Sequence, residues 1–371
     1  MVYLVGIVIN FFLAFVLLTK RNKSSADKIL FTWLCAILLH LLLFAGISSG
    51  KYLQFPFLLG LEIPLPLLHG PFLYLYTRAL TRADMSLRKN LLHFLPYALA
   101  LVSTIPFVLS APGEKIRTYQ NGGEGYTLFS YILFSGVLIS GVTYIALSLR
   151  LLRTHRKYVK DNYSYSEKVN LSWLFRLIIG LSLIWVLVFI ADDAIIFSSV
   201  VLFVLFIGYY GIKHAGIFAN QPSVASFSAQ DEQAQADPPD IASEQSKYEK
   251  TYLAPDKLEI LHRDLVQLME SKKLYLTAEL SLAMVAGELN VHPNVLSQVI
   301  NRAEQKTFFD YINALRVREF TERAMDPANQ KYTLLSLALD CGFNSKTSFN
   351  RNFKNLTGKS PSEYVKDLRD D

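Results

Sequence analysis

The stretch from Leu334 to Tyr364 reads LLSLALDCGFNSKTSFNRNFKNLTGKSPSEY, and its spacing decides how the C-terminal quarter of the chain folds. Leu334, Leu337 and Ala338 recur at helical spacing, Gly342 and Phe343 interrupt them, and Phe349 and Phe353 open a second helical run. Ala338 is small where two helices would cross closely, and Gly342 tolerates the left-handed backbone that ends a helix. An earlier segment repeats the plan: Leu282, Val285 and Ala286 lead to Asn290 and Val291, then to Leu296, Val299 and Ile300. Each segment is a short amphipathic helix, a tight turn and another helix, so helix-turn-helix grammar is written twice.

Charge adds to the pattern. Between Cys341 and Pro361 stand four cations, Lys346, Arg351, Lys354 and Lys359, and no acid. With Phe349, Phe353 and Leu356 turned inward, Lys346, Thr347, Asn350 and Arg351 are left to enter a major groove, with Lys354 on the same positive face. Arg351 can pair bidentately with guanine, a contact worth roughly 1–3 kcal/mol of discrimination. The plainer reading of the same residues is a solvated charged helix.

The second segment resembles the AraC/XylS family of bacterial transcription regulators. Leu334, Leu337, Ala338, Gly342, Phe343, Phe349, Arg351, Phe353, Lys354, Gly358, Ser360, Pro361 and Tyr364 carry the likeness, which extends over about a quarter of the chain, Leu274 to Leu368. In that family both second helices read DNA from their N-terminal halves. The resemblance therefore implies Asn294, Ser297 and Gln298 as readers in the first motif, and Lys346, Thr347 and Arg351 in the second. The first reader departs in charge, having no Lys or Arg before Arg302, so it would read bases through amides and add less phosphate attraction. A linking helix with Tyr311, Ile312, Leu315 and Val317 on its apolar positions would hold the readers about 34 Å apart, one turn of DNA. Phe320 stands on it where better-known relatives have a small residue.

Upstream the composition changes class. The 371 residues are 51% hydrophobic with a mean hydropathy of +0.27, too apolar for an ordinary soluble chain. Seven apolar runs approach the roughly 20 residues that cross a bilayer: Val2–Leu18, Ile29–Ile47, Phe57–Thr77, Leu91–Leu109, Leu128–Leu149, Leu171–Ile190 and Ile195–Ile212. The layout is similar to membrane-bound members of the same family with a seven-span N-terminal region, including IGYYGIKHAGIF from Ile207 to Phe218. The first run lacks a positive n-region and is followed by Lys20, Arg21 and Lys23, which favours an uncleaved helix with an outside N-terminus. Alternate loops carry a consistent bias. Lys20, Arg21, Lys23, Lys28, Arg78, Arg82, Arg88, Lys89, Arg150, Arg153, Arg156, Lys157, Lys160 and Lys168 fall on one side, against Lys51, Lys115 and Arg117 on the other. Fourteen against three sets the orientation and places everything after Lys213 in the cytoplasm of a bacterium, where DNA is available. The fold expected is all-α: a seven-helix transmembrane bundle (residues 1–218), an acidic linker (219–246), an amphipathic helix region (247–273) and a domain with two helix-turn-helix motifs (274–371).

Net charge agrees once it is split by region. Lys and Arg against Asp and Glu number 19 to 9 over residues 1–218, 0 to 5 over 219–246 and 18 to 17 over 247–371, so the basic excess belongs to the membrane half. The linker is acidic and broken by Pro222, Pro238 and Pro239, a composition that buries no core. As a flexible coil it has an r.m.s. span of about 30 Å and transmits torque poorly. That favours control by dimerisation, docking or exposure over a rigid lever. After it, Leu258, Leu261, Leu265, Leu268 and Met269 form a helical stripe that reads either as a homodimer seam or as a helix packed on its own domain.

Ionisable residues inside spans are costly and need a reason. His40 and His69 fall near mid-span, with Glu62 near the outer surface and two turns from His69 on one helix face. One reading is a ligand- or ion-sensing pocket opening outward with Asp192 and Asp193 at its mouth. The other is interhelical hydrogen bonding around a proline-kinked helix. Cys35 and Cys341 offer neither a disulfide framework nor metal spacing, and no cofactor is indicated. No GxSxG, HExxH or glycine-rich phosphate loop occurs, so no enzyme is expected. The reading is a membrane-bound transcription regulator whose partners are promoter DNA, the bilayer, an unknown small-molecule or membrane signal and, for an activator, RNA polymerase. The alternative is a transporter or channel carrying a cytoplasmic helix-turn-helix module.

Overall fold

The computed structural model describes residues 2–81, 90–165, 171–213 and 254–370. Arg82, Arg88, Lys89, Lys168, residues 214–218 and the acidic linker lie outside these. Among the described residues the fold is all-helical, with one isolated antiparallel bridge between Tyr163 and Ser281. The chain divides into two units, Met1–Arg153 with Ser172–Gln230, and Thr154–Leu171 with Asp231–Asp371.

The first unit begins with α1 (Val2–Thr19) and α2 (Ser25–Ser48). Ser24 and Asp27 form a capping box that starts α2, and Lys20 adds an ion pair to Asp27 at 2.8 Å. Asn10, fully buried in α1, donates to the Leu34 carbonyl of α2 at 3.0 Å, the kind of interhelical bond a bilayer favours. Then come α3 (Pro66–Thr81), α4 (Leu95–Val108), α5 (Pro112–Gln120), α6 (Thr127–Asn162), α7 (Ser172–Ile190) and α8 (Asp193–Lys213). Gly6 of α1 lets α8 approach so closely that a Cβ would lie 2.5 Å from Val201 Cγ2, and Gly141 of α6 does the same for the Trp185 ring of α7.

Four described helices are long and apolar enough to cross a membrane: α2, α6, α7 and α8. Helices α4 and α5 make a fifth candidate if their pair, bent by 111°, counts as one span, and α1 is a shorter apolar helix. The third apolar run departs from a simple span. Lys51–Leu53 and Pro56–Leu58 form 3-10 turns, and Pro64 and Pro66, which withhold backbone donors and bias their preceding residues away from the helix, delay the start of α3 to Pro66. Glu62 consequently precedes the helix that carries His69, and the expectation of one shared helix face is corrected.

The second unit holds α9 (Pro255–Lys272), α10 (Leu282–Glu288), α11 (Pro293–Val299), α12 (Phe308–Met325), α13 (Leu334–Asp340), α14 (Lys346–Thr357) and α15 (Pro361–Asp370). It has two cores. Leu265, Met269, Val285, Ala286, Leu296 and Ile312 belong to the first, and Phe320, Leu337, Ala338, Phe343, Phe349 and Phe353 to the second. Helix α12 serves both, burying Tyr311 and Ile312 in one and Val317, Phe320 and Ala324 in the other. The Leu265 and Met269 stripe of α9 is used inside the first core, with Leu268 packed against it.

Residues 154–165, which the sequence reading gave to the membrane half, sort with this unit. Ser164 donates its N–H to the Leu280 carbonyl at 3.1 Å beside the Tyr163–Ser281 bridge. Its carbonyl accepts from Arg316 Nη1 at 3.1 Å and Asn313 Nδ2 at 3.0 Å, and its hydroxyl lies 3.0 Å from Arg316 Nη2.

Candidate nucleic-acid interface

Each helix-turn-helix motif is set by its caps and its turn. Ser281 accepts from the Met284 N–H to start α10, and His292 Nδ1 accepts from the Asn294 N–H to start α11. Thr333 and Ser345 cap α13 and α14 in the same way. The turns need left-handed backbone at Asn290 (φ 52°) and Gly342 (φ 90°). Ala286 and Ala338 are completely buried, which lets the helices of each pair pack closely.

Helix α14 separates its two faces cleanly. Phe349 and Phe353 are buried against Phe320, with ring centroids 4.6 and 5.5 Å from it, so the large residue on the linking helix is the centre of the second core. Lys346, Thr347, Asn350, Arg351 and Lys354 are exposed. Leu356, expected to point inward, is 49% exposed. The buried stripe instead takes in Ser348 and Asn352, whose Nδ2 bonds to the Ser348 carbonyl at 3.0 Å, and Leu356 falls in the last turn beyond it. Lys359 faces Asp367 at 2.8 Å, so part of its charge is spent within the domain. Pro361 opens α15, and Tyr364 of that helix meets Phe353 edge-on at 5.4 Å.

The first motif offers amides and hydroxyls. Asn294 is exposed, whereas Ser297 and Gln298 are half-buried, and Ser297 Oγ accepts from Asn301 Nδ2 at 3.3 Å.

Sequence reasoning missed the polar group that ties the two motifs together. Arg316, 1% exposed, sits on the buried stripe of α12 between Ile312 and Phe320 and has no carboxylate partner among the described residues. Its guanidinium bonds to the carbonyls of Tyr275 (2.7 Å), Thr277 (2.7 Å) and Ser164 instead. Burial pulls its pKa down to about 10, which still leaves it charged near neutral pH. One turn on, Glu319 opposes its own burial with bonds from Lys273 (3.0 Å), Arg323 (2.8 Å) and the Tyr275 hydroxyl (2.9 Å). Burial raises its carboxyl, but these donors together outweigh it and hold the group below the usual carboxylate range. The available signal was spacing, since a charge four residues from an apolar neighbour on either side lies on the buried face.

The residues of the expected membrane pocket fall in the first unit. Trp33 Nε1 donates to His69 Nδ1 at 3.2 Å, and His69 Nε2 lies 3.2 Å from His40 Nδ1, the two imidazoles being stacked. Both histidines line a cavity of about 780 Å³, as do Tyr119, Trp185 and Asp193. Glu62 is not on its wall: it is buried behind Tyr119, whose hydroxyl donates to its carboxylate. Asp192 accepts from the Ile195 N–H at 2.9 Å, at the start of α8.

A family model described as a helix-turn-helix domain matches residues 285–367, from within α10 into α15 and so across both motifs. This match supports an AraC-type, DNA-binding transcription regulator. No curated protein and no solved structure matches the chain.

Proposed function

We propose that the chain is a membrane-bound, sequence-specific transcription regulator in which residues 1–218 sense a signal and residues 274–371 bind promoter DNA, joined through the linker 219–246 and the helical region 247–273. The observation that carries the DNA role is the exposed row Lys346, Thr347, Asn350, Arg351 and Lys354 on the second helix of a matched helix-turn-helix domain. In this reading the N-terminal half of α14 enters a major groove, with Arg351 on a base and Lys354 toward phosphate. Asn294, Ser297 and Gln298 of α11 read an adjacent groove segment.

Four apolar helices support the membrane location, and seven crossings with the N-terminus outside remain the arrangement that best explains the loop charges. It puts the tail in the cytoplasm of a bacterium, where it reaches DNA and, if it activates, RNA polymerase. Pairing of two chains as a homodimer would raise the local concentration of readers. The 36 residues of α6 rise about 54 Å, well beyond the hydrocarbon thickness, and its end residues from Thr154 onward belong to the second unit. The signal thus has a helical route to Ser164, Ser281 and Arg316 besides the linker 219–246.

Mapping of chain-bound promoter DNA in cells tests the regulator. Arg351→Ala should lose specific sites while its level in the membrane is unchanged. Identical site occupancy in the variant and the parent would sink the assignment. For the sensing role, His69→Ala should change target-gene output at constant protein level, and constant output across growth conditions would count against it.

A further inference from the structure

The histidine relay in the first unit has a direction. An indole N–H only donates, so His69 Nδ1, 3.2 Å from Trp33 Nε1, must be the acceptor. With both rings neutral, His69 then carries its proton on Nε2 and donates it to His40 Nδ1 at 3.2 Å. That leaves the His40 proton on Nε2, for which no partner exists among the described residues. The tautomers are dictated by one tryptophan, and the chain of bonds ends in a donor on the wall of the cavity.

The rest of the wall sets what that donor meets. The cavity, about 780 Å³, is large enough for a molecule of drug size, and ten of its lining residues are Phe, Tyr or Trp. Among the described residues no Lys or Arg lines it, and Asp193 is its carboxylate. An ionised carboxylate ligand would therefore be buried without a counter-charge, which is costly in an apolar site. Several lining hydroxyls are already engaged: Ser103 and Thr104 donate to backbone carbonyls of their own helix, Ser130 to the Tyr126 carbonyl just before α6, and Tyr119 to Glu62.

We infer that this cavity binds a neutral, largely apolar and ring-bearing molecule with a hydrogen-bond-accepting oxygen, such as a ketone, ester or lactone, which accepts from His40 Nε2. The inference rests on the reading of the first unit as a sensor and gives the signal a chemical class. Stacking on the aromatic wall supplies area, and His40 fixes orientation.

The test uses the full chain in nanodiscs of a saturated phosphatidylcholine, titrated with prodan, a neutral aromatic ketone. Energy transfer from tryptophan reports binding, since Trp33 and Trp185 line the cavity. The expected result is saturable transfer in the parent, an affinity about five-fold weaker in His40→Phe, which keeps the stacked ring and removes the donor, and near-parent affinity in His40→Gln, which restores an N–H. Leu133→Trp, which narrows the cavity, should weaken the saturable part. Transfer that only grows with probe in the bilayer, equally in parent and Leu133→Trp, would mean partition into lipid and overturn the site. Equal affinity of parent and His40→Phe would overturn the class of ligand. A promoter reporter separates the two readings: if prodan behaves as expected but Leu133→Trp leaves output unchanged in every condition, the sensor reading falls and the binding site stands.

Discussion

Gly342 combines a φ of 90° with a backbone so close to its neighbours that a Cβ would lie 2.6 Å from the Tyr275 carbonyl oxygen, 2.8 Å from that of Leu276 and 2.9 Å from Arg316 Nε. Left-handed strain and a backbone clash therefore coincide, and neither neighbouring carbonyl is a flexible side-chain end that can swing away. Gly342→Ala should cost the second unit about 2–4 kcal/mol, read as lost amide-exchange protection in α12 to α14, with protection in the first unit unchanged. Protection equal to the parent would show that the turn relaxes freely. At Glu319 the sign of the pH effect follows from its donors. Its folded carboxyl titrates below the ordinary range, so the stability it contributes is fully present above that range and is lost as pH falls through the folded value. Thermal unfolding followed by circular dichroism should show the second unit weakening on acidification below about pH 4. Glu319→Gln should be weaker at neutral pH and less sensitive to acid; an acid response as steep as the parent's would remove Glu319 from the account.

Helix α12 works as the beam of the second unit, and the turn after α6 is fastened to it. Arg316 has donors directed at Ser164, and Ser164 itself pairs with Leu280 next to the residue that caps α10. Ser164→Pro removes the N–H donated to Leu280 and displaces the groups that Arg316 bonds. Helix α6 ends at Asn162, so it is left intact. Unpaired donors on a buried guanidinium cost roughly 1–3 kcal/mol or more. The variant should loosen amides from Tyr275 to Ser281 and uncouple promoter output from growth condition. Unchanged exchange in that segment would mean that the contact carries no energy. The two motifs were legible in the sequence because each is local: Ala286 with Asn290 and Ala338 with Gly342 stand at fixed spacings within one supersecondary unit. The Arg316–Ser164 contact spans 152 residues of chain, and no periodicity announces it. Leu356 was misread because apolar spacing says which face a residue occupies but not where the neighbouring helices stop covering it. The third apolar run passes as a span by hydropathy although Pro64, Pro66, Gly70 and Pro71 break it; where its helix starts, at Pro66, depends on backbone hydrogen bonding, which hydropathy does not weigh.

At the scale of the whole molecule, the sequence separated an apolar half from a helix-turn-helix tail, and the division into two units follows that separation except at residues 154–171. The exception matters, since Ser164 is hydrogen-bonded to Leu280, Asn313 and Arg316 of the tail. The candidate DNA face needed no structure to propose, because its cations and amides alternate with buried phenylalanines at helical spacing. The cavity could be read as far as its histidines and Asp193: the order of donation depends on Trp33, and the place of Glu62 depends on Tyr119. The most direct measurement is selection of binders from random duplex DNA by the full chain in nanodiscs at one stated salt concentration. The account predicts enrichment of a single asymmetric motif spanning two adjacent major-groove segments, with discrimination at one guanine reduced by roughly 1–3 kcal/mol in Arg351→Ala. No enrichment, or the same motif with the same affinity in Arg351→Ala, would contradict it.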